Sequence, residues 1–172
     1  EHTDNSRKHT DRSVQPGAVS ARSMVASGGV EEMLADRIKA ARNTRIYIAG
    51  ARTRIPEPPA NTTVLDARER TTVVEYVPGD LTITVGAGMT IAELDAITAE
   101  HNQWCPFLPW GTDAGTVGGA LARGERGLTC AAFGAARDLT LGLTFVDGRG
   151  SIVAAGGRVV KNVTGYDLAK LY

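Results

Sequence analysis

The sequence predicts an α+β domain in which helices are mixed with mostly antiparallel strands. Two segments, residues 72–85 and 139–154, contain apolar runs of strand length separated by turns of a few residues. Such short connections are typical of antiparallel pairs. Residues 30–42 and 91–102 have apolar positions at helical spacing instead. This mixture argues against a doubly wound parallel sheet, in which each pair of strands is joined through a crossover helix.

Length and composition are those of one globular domain. The 172 residues are 42% hydrophobic and 22% charged, and the formal net charge is zero. A neutral chain offers no basic surface for nucleic acid, and the sequence has no apolar run long enough for direct membrane insertion. Two cysteines, Cys105 and Cys130, are too few for a disulfide framework or a zinc site. We therefore expect a cytoplasmic protein with reduced thiols and no metal.

The first 28 residues are polar and lack periodicity, which predicts a disordered tail at 1–28 and a folded domain at 29–172. The sequence begins with Glu1 rather than methionine. That start is compatible with an incomplete reading frame or with a natural start nearer Met24.

The first predicted helix covers Val30–Arg42, with acidic residues in its first turn and basic residues toward its end, as the helix dipole favours. A short apolar strand follows at Arg45–Ile48. It leads directly into a loop of small residues whose backbone N–H groups can approach an anion. That loop consists of Ala49, Gly50, Ala51, Arg52 and Thr53.

The next elements are predicted from local signals. Thr62–Leu65 is a candidate strand, and a hairpin is expected at Thr72–Val77 and Leu81–Val85 around Pro78-Gly79-Asp80. Thr90 and Glu93 have the spacing of a capping box, which predicts a helix ending near His101. A second hairpin is predicted with strands Leu139–Phe145 and Ser151–Ala154.

The glycine-rich run 111–122 has two interpretations. In one, it opens a helix whose first N–H groups are unsatisfied, and a pyrophosphate binds them, with hydroxyl donors from Thr112 and Thr116. Gly118 and Gly119 would then let the ligand approach. In the other, the run is a glycine-rich turn between packed elements. The spacing of the glycines alone does not decide between these two interpretations.

Three further stretches have weaker signals. The loop Ala49–Thr53 has one glycine, so it is not the dinucleotide fingerprint of Rossmann folds. Phe133–Leu139 contains Arg137 and Asp138, which more often form a solvated or structural pair than a ligand contact. Val159–Leu168 is consistent with a strand, a turn and the start of a helix.

Four blocks in this order resemble the FAD-binding domain of the vanillyl-alcohol oxidase and p-cresol methylhydroxylase superfamily, and in particular the FAD-binding subunits of bacterial glycolate oxidases. The resemblance covers about 45–172, and the last block is the most specific, being shared with lactate- and glycolate-type members. The blocks are VVEYVPGDLTITVGAGMTIAEL (73–94), AGTVGGALA (114–122), FGAARDLTLGLTFVDGRG (133–150) and VVKNVTGYDLAKL (159–171).

The resemblance implies that FAD lies between two α+β subdomains. It assigns the pyrophosphate to Ala49–Thr53 and Gly115–Gly119. The loop departs from relatives by having Ala51 and Arg52 where glycine is common, and it contains neither His nor Cys, which favours non-covalent FAD. The full set of implied cofactor residues is Ala49, Gly50, Ala51, Arg52, Thr53, Thr112, Gly115, Thr116, Gly118, Gly119, Phe133, Gly134, Arg137 and Asp138.

The implied function is oxidation of a 2-hydroxy acid, such as glycolate to glyoxylate. Electrons would pass to an iron–sulfur subunit, in a complex that also contains a second flavoprotein subunit. The partner subunits would place this cytoplasmic protein at the periphery of the inner membrane. A D-lactate dehydrogenase-type flavoenzyme and a non-catalytic relay or assembly subunit are the alternatives. Relatives continue with another flavin-contacting segment and a substrate domain, so the sequence nominates no catalytic residue, and this part alone is expected to be inactive.

Overall fold

The computed structural model describes residues 28–54, 57–106, 114–124 and 126–157. Helices and strands are mixed along these residues, which agrees with the predicted α+β class. A single 3-10 turn, Pro78–Asp80, occurs in this part of the chain. The elements are α1 (Gly28–Ala40), β1 (Arg45–Ala49), β2 (Thr62–Asp66), β3 (Val73–Val77), β4 (Thr82–Val85), α2 (Ile91–Ala99), α3 (Val117–Arg123), α4 (Cys130–Phe133), α5 (Ala136–Leu139), β5 (Gly142–Val146) and β6 (Ile152–Gly156).

The described strands form three two-stranded sheets. β3–β4 and β5–β6 are antiparallel hairpins, as predicted, whereas β1 and β2 pair in parallel. The parallel register runs from Arg45 opposite Thr62 to Ala49 opposite Asp66. Both strands therefore end at the same edge, and the loops that follow them leave the sheet side by side.

Helix α1 packs against the hairpin β5–β6. It begins at Gly28, two residues earlier than predicted, and the rest of the predicted tail lies outside the described residues. Ala35, Ile38 and Ala41 are buried on one face. Gly150, at φ +78°, brings the hairpin turn so close that a Cβ there would lie 2.7 Å from the Ala35 carbonyl oxygen. A glycine is therefore required where the turn meets the helix.

The second hairpin starts later than the alternation of apolar residues predicts. Leu139 ends helix α5, and β5 begins only at Gly142. The Asp138 carboxylate accepts a hydrogen bond from the Ala135 amide (2.9 Å), and the Thr140 hydroxyl donates to the Ala136 carbonyl (2.9 Å). These two local bonds stabilise one helical turn and override the alternating pattern.

Helix α2 has the predicted capping box. The Thr90 hydroxyl accepts from the Glu93 amide (3.1 Å), and the Thr90 amide donates to the Glu93 carboxylate (2.8 Å). The helix ends at Ala99, slightly before the predicted His101, and Asn102 adopts a left-handed conformation at φ +54°. Ile91 and Leu94 are buried on its inner face.

A half-buried ion pair fastens α1 to the loop after β2. The Arg70 guanidinium donates to the Glu31 carboxylate through two nitrogens, at 2.7 and 2.5 Å, and the two side chains are only 18% and 14% exposed. We expect Glu31→Gln to lower the free energy of unfolding by about 1–3 kcal/mol, because it leaves a partly buried guanidinium without its counter-charge. Urea unfolding should show the loss. The exposed Glu32→Gln is the control, and equal midpoints for both variants would contradict the expectation.

Candidate functional site

Two loops that are distant in sequence come together at the carboxyl end of β1. Gly50 follows the fully buried Ala49, and a Cβ placed on Gly50 would lie 2.5 Å from the Thr116 hydroxyl oxygen. Thr116 is itself only 4% exposed and caps α3. On the far side of the contact, the Arg123 guanidinium donates to the Arg54 carbonyl (3.1 Å). The two segments that the resemblance assigns to a pyrophosphate are thus in contact with each other.

The turn 86–89 joins the start of α3 to the segment that follows β2, a role that the sequence analysis did not predict. The Gly86 amide donates to the Thr72 carbonyl (2.8 Å), and the Gly88 amide donates to the Arg70 carbonyl (2.7 Å). Both glycines are buried. The spacing Gly-Ala-Gly directly after a strand was the available signal for such a close approach, because glycine lets two backbones meet.

One of the two interpretations of the glycine-rich run, in which the helix leaves its first N–H groups unsatisfied, is wrong. Each of the first three amides of α3 has an acceptor within the protein. The Val117 amide donates to the Met89 carbonyl (2.8 Å), the Gly118 amide to the Ala87 carbonyl (2.8 Å) and the Gly119 amide to the Thr116 hydroxyl (3.2 Å).

Gly118 fits the packing interpretation of the run. A Cβ there would lie 2.7 Å from the Cβ of Ala87 and 2.9 Å from its carbonyl oxygen, so the missing side chain lets the turn 86–89 reach the helix. The Gly115 carbonyl accepts from the Ile91 amide (2.9 Å), which ties the same run to the start of α2. Cofactor contacts by Gly115, Gly118 and Gly119 stay predictions, but they do not use the N–H groups of residues 117–119.

In contrast to the amides of α3, the backbone amides of the loop after β1 have no acceptors among the described residues. Within the described part of the chain, no hydrogen bond uses the backbone amides of Gly50, Ala51, Arg52 or Thr53. Arg52 adopts a left-handed conformation at φ +54°, a position that glycine occupies without strain. Arginine in that conformation costs about 1 kcal/mol. Glycine would therefore suit position 52, one of the two positions at which this chain has another residue.

The segment 133–138 packs against α3 through helix α5. Ala136 is buried against Ala120 and Ile91 in one apolar cluster. Phe133 is half exposed and packs edge-on against Trp104, with ring centroids 5.3 Å apart. The predicted cofactor-lining segment is therefore connected to the predicted pyrophosphate segment through the body of a short helix.

Arg137 and Asp138 behave as the solvated and structural pair that the sequence favours. Their charged groups lie 3.7 Å apart, and the side chains are 56% and 48% exposed. Asp138 also caps α5 through the Ala135 amide, and Gly134 turns the chain at φ +88° just before it. The Asp138 carboxylate thus has a structural task, independent of any cofactor contact.

A clamped carboxylate lies beside the loop after β1. Asp66, which pairs with Ala49 across the parallel strands, accepts hydrogen bonds from the Arg68 side chain at 3.0 Å through Nε and 2.5 Å through Nη2. Hydrogen bonds from the Arg68 side chain, and then from its backbone amide, lower the pKa of Asp66 to about 2, with a smaller effect from the charge of Arg52. Asp66 is therefore ionised throughout the physiological pH range.

The Asp66 titration is directly testable. Its pKa in the folded protein lies below the unfolded value of about 4, so ionised Asp66 stabilises the fold above pH about 4, and this contribution is lost as the pH falls toward about 2. Carboxyl carbon NMR should give a midpoint near 2 for Asp66. Arg68→Gln, which removes the largest cause, should move that midpoint upward. A wild-type midpoint near 4 would contradict the clamp.

Two further predicted features lie outside the described residues. They are Thr112 and the block 159–168. Among the residues that are described, no helix is both long and apolar enough to cross a membrane, and no group of His, Cys, Asp and Glu is arranged for a metal ion.

Comparison with known proteins identifies the family. The family described as FAD binding domain matches residues 23–156, which is most of the chain. The chain is 36% identical over 115 residues to glycolate oxidase subunit GlcE of Escherichia coli, covering 66% of this chain and 33% of that protein. It is 31% identical over 113 residues to D-lactate dehydrogenase of Archaeoglobus fulgidus, covering 66% and 25%.

Glycolate oxidase subunit GlcD of Bacillus subtilis is 30% identical over 100 residues, or 58% of this chain and 21% of that protein. The matched region thus spans a third or less of the length of each of these relatives. The resemblance that the sequence motifs indicated is confirmed, and the chain belongs to the family of FAD-binding domains found in flavoproteins of the glycolate oxidase and D-lactate dehydrogenase type.

Proposed function

We propose that this chain is the FAD-holding part of an oxidoreductase that oxidises a 2-hydroxy acid, with glycolate to glyoxylate as the first candidate reaction. The observation that supports it most is the loop Gly50–Thr53, whose amides have no acceptor among the described residues and which lies against Thr116. Two relatives are named glycolate oxidase subunits, which supports the choice of substrate.

The residues at this edge fit the diphosphate of FAD. The consecutive amides without internal acceptors are available to an anion, and Gly50 keeps the space beside Thr116 free of a side chain. Phe133, Gly134 and Thr112 are proposed to line the rest of the site. When bound, FAD supplies the redox chemistry by accepting a hydride equivalent from the α-carbon of the hydroxy acid. The chain's own task is to bind and orient the cofactor.

The remaining features of the whole protein are proposed from its resemblance to the FAD-binding subunits of glycolate oxidases. FAD is non-covalent and lies between two subdomains, whose residues continue beyond those described. The partners are a second flavoprotein subunit and an iron–sulfur subunit, and the complex is cytoplasmic, peripheral to the inner membrane through those partners.

The complete protein that contains this chain should be purified and its visible absorption spectrum recorded. Flavin bands that disappear from the protein and reappear as free FAD after denaturation would support the assignment and its non-covalent form. Absence of flavin from a folded sample incubated with excess FAD would overturn it.

A separate experiment must distinguish glycolate from D-lactate as the substrate, because one relative is named D-lactate dehydrogenase. Flavin bleaching under anaerobic conditions should be compared for glycolate and D-lactate. Faster bleaching by glycolate supports the first candidate reaction, and faster bleaching by D-lactate would replace it. No bleaching by either acid, with flavin bound, would favour the relay or assembly role instead.

A further inference from the structure

The loop Gly50–Thr53, which we propose to hold the diphosphate, contains a cation where the superfamily pattern has glycine. Arg52 is exposed, and within the described residues it forms neither a hydrogen bond nor a salt bridge. The neighbouring backbone amides of Gly50, Ala51 and Thr53 are equally without acceptors there. A guanidinium beside such amides adds a full positive charge, and five further donors, to the same surface.

An acidic group close by would normally oppose an anionic ligand. Asp66 lies at the end of β2, opposite Ala49, and the Ala67 amide donates to the Ala49 carbonyl (2.8 Å), so the two loops run together. The charge of Arg52 acts on Asp66. An uncompensated Asp66 would therefore attract Arg52 and repel a phosphate.

Arg68 removes this conflict. Its side chain engages both carboxylate oxygens of Asp66, and its backbone amide adds a third contact at 2.9 Å. A carboxylate with its oxygens so engaged has little capacity for another partner. Asp66 and Arg68 therefore cancel as a charged pair, and the positive charge of Arg52 is left without a counter-charge from Asp66.

We propose that Arg52 binds the diphosphate of the cofactor by charge, and that Arg68 neutralises Asp66 so that this carboxylate neither repels the diphosphate nor pairs with Arg52. The inference rests on the proposed function and specifies its binding step. It assigns Arg52 a direct contact and Arg68 a positioning role. In this chain, charge from one side chain takes over part of the binding that a glycine-rich loop achieves with backbone amides alone.

The experiment measures cofactor affinity of the complete apoprotein rather than turnover. Wild type, Arg52→Gln, Arg52→Lys and Arg45→Gln are titrated with FAD, ADP and riboflavin at about 50 mM and about 300 mM salt, since screening is strong at the higher concentration. Arg45→Gln is the matched control. It removes the same charge from the other end of β1, roughly 13 Å from Ala49 at the usual rise per residue.

Arg52→Gln should weaken binding of FAD and ADP roughly tenfold at low salt and much less at high salt, as expected for a charge-assisted contact. Riboflavin, which lacks phosphate, should bind both proteins equally. Arg52→Lys should retain part of the affinity, and Arg45→Gln all of it. If wild type binds FAD but Arg52→Gln binds it with the same affinity and salt dependence, the inference fails while the proposed function stands. If wild type binds no FAD, both fail.

The role of Arg68 is tested by a pair of variants. Arg68→Gln exposes the Asp66 charge and should weaken FAD binding severalfold at low salt. Asp66→Asn combined with Arg68→Gln removes both charges and should restore the wild-type affinity. Failure of the double variant to recover, in protein with an unchanged circular dichroism spectrum, would overturn the positioning role.

Discussion

Replacing Gly88 by alanine should lower the free energy of unfolding by about 3 kcal/mol or more, the range of severe overpacking. The new Cβ would lie 2.4 Å from the Ala67 carbonyl oxygen and 2.8 Å from both the Arg68 Cα and the Arg70 carbonyl oxygen. All three neighbours are backbone atoms, so no side-chain rotation relieves the overlap. The Gly88 amide is also fixed to Arg70 at 2.7 Å, which opposes a shift of the turn.

The control for this substitution is Gly148→Ala. Gly148 also lies in a turn, but a Cβ there meets nothing within 4 Å, and its φ is not positive. Its stability should stay within about 0.5 kcal/mol of wild type. Chemical denaturation of the two variants side by side measures the difference, and similar midpoints would show that the backbones around Gly88 can separate at little cost.

The second large effect is expected at Gly50. Alanine there places Cβ 2.5 Å from the Thr116 hydroxyl oxygen, so the loop after β1 or the buried Thr116 side chain must move. Because the proposed diphosphate contacts lie in that loop, FAD affinity should fall at least roughly tenfold, the factor expected when a charge-assisted hydrogen bond is lost. Flavin fluorescence quenching measures the affinity, and circular dichroism establishes that the variant is folded.

A double-mutant cycle separates this effect from general damage. Thr116→Ala removes the clashing hydroxyl and leaves Cβ, at 3.6 Å from the added group, in ordinary contact. By itself it should cost about 1 kcal/mol through the lost cap on the Gly119 amide. Combined with Gly50→Ala it should recover affinity, whereas Thr116→Ser should not. Strictly additive losses would contradict direct contact between the two residues.

Elements with local signals could be read from the sequence. The capping box at Thr90, the turn at Pro78–Asp80 and the helix at 30–42 each depend on residues a few positions apart, and all three form, with ends shifted by a few residues. Leu139 shows the limit of this approach. Its alternating surroundings mimic a strand, but the cap provided by Asp138 was equally local and is the interaction that prevails.

The rest of the site depends on distant partners. Ala49–Thr53 and Gly115–Gly119 were recognised as candidate cofactor loops, yet nothing near residue 118 in sequence indicates that Ala87 is the acceptor of its amide. The parallel pairing of β1 with β2, which sets Asp66 beside Ala49, likewise depends on packing across a long connection. The spacing of glycines indicates where two backbone segments can approach each other closely, but it does not indicate which segment is the partner.

The contacts of the turn 86–89 restrict its length more than its sequence. Main-chain hydrogen bonds hold it to residues 70–72 on one side and to residues 117–118 on the other. Removing or inserting one residue there would displace the donors and acceptors on both sides at once. Among homologues we therefore expect this turn to keep a constant number of residues even where the residue at the exposed position 87 differs.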